Sequence, residues 1–174
     1  MTNDGSFFSG GGRFAFGNPL KIPNQSFSGL LSKTTPTCFL SSSTTISVGT
    51  GIGVFTLLTW DTTIYQTDSA MHSNTVNSSR ITIQVPGKYL LFAQIGWPYD
   101  VSGTTRRIRL LSNGVAQTAQ LAQFPNGTVP KLSPTLVGMY AVSRGNYLEL
   151  DADHDATGTL LFTPISFGVL FVTP

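Results

Sequence analysis

Few side chains in this sequence could do chemistry, and each has an ordinary use to weigh beside it. There are two histidines, one cysteine and one glutamate: His72 in a polar run beside Met71, His154 inside D-A-D-H-D at 151–155, Cys38 and Glu149. A Ser–His–Asp arrangement can be drawn on paper from so many serines. The sharp G-x-S-x-G turn that would expose a nucleophile is absent, and the reading is against an enzyme. His72 reads as a loop polar group, and Cys38, in the apolar run Thr37-Cys38-Phe39-Leu40, as a small buried hydrophobe.

Asp151, Asp153 and Asp155 are the sharper case. At i, i+2 and i+4 on a strand they share one side, and hard carboxylate oxygens suit Ca²⁺. The spacing D-x-[DN]-x-[DN]-G is missing, however, and acidic strand ends are often simply solvated or paired. The run R-R-I-R at 106–109 offers Arg106, Arg107 and Arg109 for a polar rim or an intersubunit pairing. Both uses of the aspartates stay open; no other cofactor is expected. On a strand, Arg106 and Ile108 face one way and Arg107 and Arg109 the other, so the run is no continuous basic stripe. With a net charge of only +2, no nucleic-acid partner is expected.

These groups must be held by an element, and the stretch that organises the chain runs from 80 to 97. Ile81, Ile83 and Val85 alternate with Arg80, Thr82 and Gln84, the period of a strand with one buried and one wet face. Pro86-Gly87 breaks the chain. Beyond it the pattern is apolar on both sides: Tyr89, Leu91, Ala93, Ile95 and Trp97 against Leu90 and Phe92. A strand buried on both faces needs something to cover the face away from its own core.

Elsewhere from 34 onward the chain reads as about ten short strands parted by turns, with no convincing helix. Asn113-Gly114 is a hairpin signal between 106–112 and 115–121, and 61–79 reads as a long polar surface loop. The strands sort into two groups. Segments 81–85, 106–112 and 147–152 are one-sided, with Leu148, Leu150 and Ala152 inward and Tyr147, Glu149 and Asp151 outward; Glu149→Lys is expected to matter little. Segments 88–97, 136–142 and 165–172 are apolar on both sides, which places Leu90, Phe92, Met139, Phe167 and Leu170 in a subunit interface. Burial of one Leu, Val or Phe is worth roughly 1.5–3 kcal/mol. A handful on one sheet face is enough to drive association.

Composition agrees. Hydrophobic residues make up 40% and charged residues only 10% of 174, so Ser, Thr, Asn and Gln carry the polar surface, as suits a protein within an assembly. One cysteine excludes an intrachain disulfide. No run approaches the ~20 apolar residues of a membrane span, so no membrane insertion is expected. M-T-N-D-G-S-F-F shows neither the basic nor the apolar part of a secretory signal, and synthesis in a host cytoplasm is the expectation. Residues 1–33 differ from the rest: G-G-G at 10–12 lies among Phe7, Phe8, Phe14 and Phe16 with no regular period. Glycine makes such a segment costly to order while phenylalanine favours burial. It reads as a docking arm whose aromatic side chains seat on another surface.

The strand motifs resemble a known family. P-G-K-Y-L-L-F at 86–92 resembles the G-x-Y-x-F strand of the C1q/TNF-like jelly roll. G-N-Y-L-E-L at 145–150 is similar to its G-D-x-V-x-L strand, with Asn146 where Asp is usual. S-F-G-V-L-F at 166–171 is close to its S-F-x-G-x-L closing strand, with the glycine one place early. The run F-x-x-L-x-W-D-x-x-x-Y-x-T-D at 55–68, with M-H at 71–72 and N-x-S-R-I-T at 77–82, looks like the C1q-like modules of tailed-phage virion proteins. The resemblance spans about 34–174. It implies an all-β, ten-strand, two-sheet jelly-roll sandwich that forms a homotrimer through its inner sheets. It also implies a structural or binding role on a virion surface: a capsid-decoration or head-fibre protein anchored to capsid or tail proteins by the arm. A receptor-binding tip of a tail, fibre or baseplate is the alternative. Loops near Tyr99, Gly103 and Asn126-Gly127 would then meet a host surface glycan or protein. A bacterial surface or spore-coat ligand-binding protein is a further alternative.

Overall fold

A computed structural model describes residues 35–98, 102–123, 134–162 and 165–174. The docking arm with Phe7, Phe8, Phe14 and Phe16, together with Tyr99 and Asn126-Gly127, lies outside the described residues.

Alternating patterns and turn residues make the described chain all-β. In order come β1 (Thr37–Ser42), β2 (Ile46–Val48), β3 (Thr56–Leu57), β4 (Thr62–Gln66), β5 (Ile81–Thr82) and β6 (Gly87–Ile95). They are followed by β7 (Thr105–Ser112), β8 (Val115–Gln123), β9 (Thr135–Val142), β10 (Tyr147–His154), β11 (Leu160–Phe162) and β12 (Ile165–Thr173). One antiparallel sheet has the order β4-β1-β12-β6-β9. The other runs β3-β10-β7-β8, with β5 also on β10 and the short β11-β2 pair to the side. The two sheets form a jelly-roll sandwich. Asn113 and Gly114 both take positive φ, 51° and 76°, giving the tight β7–β8 turn that twisted strands favour. The Asn113 side-chain oxygen accepts from the Tyr147 N–H at 3.0 Å, which ties the hairpin tip to β10.

The core forms where the inward residues of the two sheets meet. The first sheet sends in Cys38, Leu40, Tyr89, Leu91, Ile95, Phe167 and Val169, and the second Ile108, Leu110, Leu148 and Leu150. Trp60 packs on Phe167 with ring centroids 5.5 Å apart, and Trp97 meets His154 edge-on at 5.8 Å. Burial pushes the Cys38 thiol up to about 12, so it is an inert hydrophobe rather than a nucleophile. Burial also raises Tyr89 to about 12, against the opposing effect of its hydrogen bond to Val85 O at 2.6 Å.

Three sequence expectations need correction. Phe167 is not an outward interface residue: it is fully buried on the inner face, because it shares the parity of Val169 and packs on Trp60. The outer face of β10 is not wet, since Glu149, Asp151 and Asp153 are all buried. The 61–79 loop is not wholly superficial, because Met71 and His72 are tucked in and Thr82 N–H bonds Met71 O at 2.7 Å.

Candidate functional site

The two sheets treat their outer faces in opposite ways. On the β4-β1-β12-β6-β9 sheet, register lines up Tyr65, Phe39, Gly168, Phe92 and Val137 as one cross-strand row. The next row brings Leu170, Leu90 and Met139 together. On the other side of the first row lies a polar row of Ser41, Ser166, Gln94 and Thr135. The apolar belt is open: Val137 is 64% and Met139 58% exposed, and Phe39, Leu90, Phe92 and Leu170 are half-buried. Of the expected interface residues, the structure thus gathers Leu90, Phe92, Met139 and Leu170 and leaves out Phe167.

Gly168 gives the belt its centre. Phe39 and Phe92 reach across β12 from either side, their rings 5.0 Å apart at 34°. A Cβ at Gly168 would lie 2.5 Å from the Phe39 ring and 2.6 Å from the Phe92 ring. The aromatic pair exists because no side chain stands between its members. Sequence reading missed Phe39 and Val137, although the two-sided pattern of 136–142 carried the signal for the second.

The other outer face is a ladder of ion pairs. Asp151 lies directly opposite Arg109, and Asp153 opposite Arg107, across β10–β7. Arg109 Nε and Nη2 meet the two Asp151 oxygens at 2.9 and 2.5 Å. Arg107 makes the same two-pronged contact to Asp153, whose carboxylate also accepts from Gly53 N–H at 2.6 Å. Glu149 accepts from Arg80 Nε at 2.9 Å and from Ser79 Oγ at 2.7 Å. Phe55 covers the Arg107–Arg109 pair, with the Arg109 guanidinium carbon 3.1 Å from its ring centre, and Tyr147 covers Arg80 at 4.0 Å. Such planar forks satisfy carboxylates geometrically as well as electrically.

The ladder gives two of the three aspartates partners within the chain. Asp151 and Asp153 are spent on guanidiniums. Asp155 turns away to cap the 102–105 loop, accepting from Thr104 and Thr105 N–H at 2.7 Å each and from Arg106 at 3.3 Å. Burial opposes ionisation of Asp155, but the Thr105 and Thr104 hydrogen bonds outweigh it and hold its pKa low. The three carboxylates therefore share no cavity, and no metal-holding cluster occurs among the described residues. The pairing with Arg106, Arg107 and Arg109 is within one chain rather than between subunits.

The histidines are likewise structural. His154 Nε2 meets Val48 O at 2.8 Å, and its Nδ1 accepts from Ala156 N–H at 3.1 Å. His72 Nδ1 meets Arg80 O at 2.7 Å. Each ring clamps backbone, and neither is paired with a hydroxyl or thiol nucleophile in these contacts.

No family model and no curated protein matches the sequence. Solved structures do match. A crystal structure of murine APRIL at pH 5.0 aligns with TM-score 0.57 at 14% identity, over 79% of this chain and 99% of that one. The globular domain of zebrafish complement 1qA protein aligns with TM-score 0.55 at 13%, over 80% and 99%. Eiger TNF from S. frugiperda gives 0.57 at 14%, over 80% and 93%. At such identities the likeness is one of fold: this chain adopts the C1q/TNF-like jelly roll.

Proposed function

We propose, with the C1q/TNF-like jelly roll as premise, that the chain is a homotrimeric structural and binding protein of a bacteriophage virion. In this reading it is a capsid-decoration or head-fibre protein on the virion surface, held to the particle by residues 1–33. The observation that carries the proposal is the open apolar belt on one sheet, set against the paired charges of the other. Val137, Met139 and the Phe39–Phe92 pair leave a sheet face that a second and third copy would cover, whereas the charges of the opposite face are already paired. Burying only three of these side chains in each protomer contributes on the order of 5–9 kcal/mol before association costs. The virion setting draws on the sequence resemblance at 55–90, and the Gly/Phe composition of 1–33 supports the arm.

Sedimentation equilibrium at micromolar concentration is the first test. The wild-type chain should run as a trimer and Val137→Asp as a folded monomer; a monomeric wild type overturns the reading. Removal of 1–33 should leave the trimer intact and abolish attachment to the particle. Attachment that survives the deletion removes the arm from the proposal.

A further inference from the structure

A second surface shares no residue with the belt. A cleft of about 330 Å³ opens between 42–47, 59–61 and 74–78, lined by Ser42, Thr44, Ser47, Trp60, Asp61 and Asn74 among others. We propose that it binds a neutral saccharide.

The chemistry of the walls selects the class. Among the described residues no lysine, arginine or histidine lines the cleft, so a phosphate, a sulfated chain or a nucleic acid would meet Asp61 with no counter-charge there. Asp61 is no cation ligand either. Its oxygens already accept from Ser43 N–H at 2.9 Å, Thr44 N–H at 2.8 Å, and the hydroxyls of Ser43, Thr44 and Thr62 at 3.0, 2.5 and 2.7 Å. Those bonds, the Thr44 hydroxyl first, hold its pKa well below the usual carboxylate range, so it stays ionised and its donors stay committed. An apolar ligand would find Ile46 and Trp60 among a majority of hydroxyl side chains. What remains is a neutral molecule rich in groups that both donate and accept.

The polar groups are also pre-oriented for such a molecule. Because the Thr44 hydroxyl proton is given to Asp61, the oxygen presents only lone pairs to the cleft and can accept. Asn74 is the complement: its Oδ1 accepts from the Thr63 hydroxyl at 2.9 Å, which leaves its NH₂ to donate. A sugar hydroxyl serves both partners at once. Trp60 forms part of the lining, and its buried indole N–H has no acceptor among the described residues. The volume falls at the lower end of ordinary ligand sites and suits one or two sugar rings.

The test is an NMR titration of the full chain with glucose, galactose, mannose and N-acetylglucosamine, with inorganic phosphate as the anion arm. The chain has two tryptophans, so Trp60→Phe assigns the indole signal. The expected result is a saturable change at the Trp60 indole and the Asn74 amide with at least one of the sugars and none with phosphate. Asn74→Ala, at an exposed position, should weaken that binding by about fivefold or more. The proposal falls if none of the four sugars gives saturable changes, if phosphate gives them instead, or if Asn74→Ala binds as well as the parent. The readout does not depend on oligomeric state, so failure of the trimer leaves it standing and the reverse holds too.

Discussion

The two outer faces of this sandwich are built from the same kind of alternating strand, yet one is closed and the other open. On β10–β7 every outward acid meets a cation of the same chain, and Phe55 and Tyr147 roof the pairs. On β12–β6–β9 the belt residues are apolar, and among the described residues Val137 and Met139 stay exposed. The difference teaches where each kind of side chain can be satisfied. A buried charge left for a partner to neutralise would destabilise the free protomer severely. An apolar face left open costs far less until a partner arrives, and then drives assembly.

The comparison can be broken most forcefully from inside. Phe167→Asp puts a charge at the shared core and should abolish folding, seen as loss of the cooperative melting transition. Next is the closed face. Glu149→Lys sets a cation beside Arg80 and removes the acceptor of Ser79, and should cost about 2–4 kcal/mol in denaturant unfolding, contrary to the tolerance its sequence position suggests. A smaller effect is expected at the centre of the open face. Gly168→Ala should split the Phe39–Phe92 pair and cost about 1–3 kcal/mol, with a matching loss of trimer. Val137→Asp should change monomer stability by only about 0.5 kcal/mol while abolishing association; equal losses in both would mean the two faces do not differ as described.

The mildest test is acid. The folded pKa values of Asp61 and Asp155 lie below their unfolded values near 4, so the stability they add is fully present above about pH 4. It is lost as pH falls through the folded values, because the unfolded chain then binds protons first. Melting temperature should be flat from neutral pH to about pH 5 and decline below pH 4. A decline that begins near neutrality would overturn this assignment to the two aspartates.

Much of this was legible in the residues. Tyr89, Leu91, Ala93 and Ile95 against Leu90 and Phe92 gave both the strand and its inner side, because Lys88 and Gln94 mark the outer parity. Asn113-Gly114 named its turn, and the parity of 106–109 put Arg107 and Arg109 on the face opposite Ile108. The side of Phe167 was hard to read: β12 is apolar in both registers along most of its length, and only Ser166, on the parity of Gly168 and Leu170, labels the outer face near Phe167. The burial of Glu149 and Asp151 was not legible. Alternating acids look the same whether they meet water or a guanidinium 42 or 69 residues away. The cleft was silent because serine and threonine populate the whole surface.

The position of β12 sets a timetable. It lies between β1 and β6, so the last strand of this chain fills the middle of the five-stranded sheet rather than an edge. During synthesis β1 can pair with β4 and β6 with β9, but the edges of β1 and β6 that face β12 stay open until 165–173 clear the ribosome. A stalled or clipped product lacking those residues would expose both inner and outer apolar faces at once. Quality control therefore has a sharp signal for a product lacking β12, and refolding should depend steeply on the integrity of that strand.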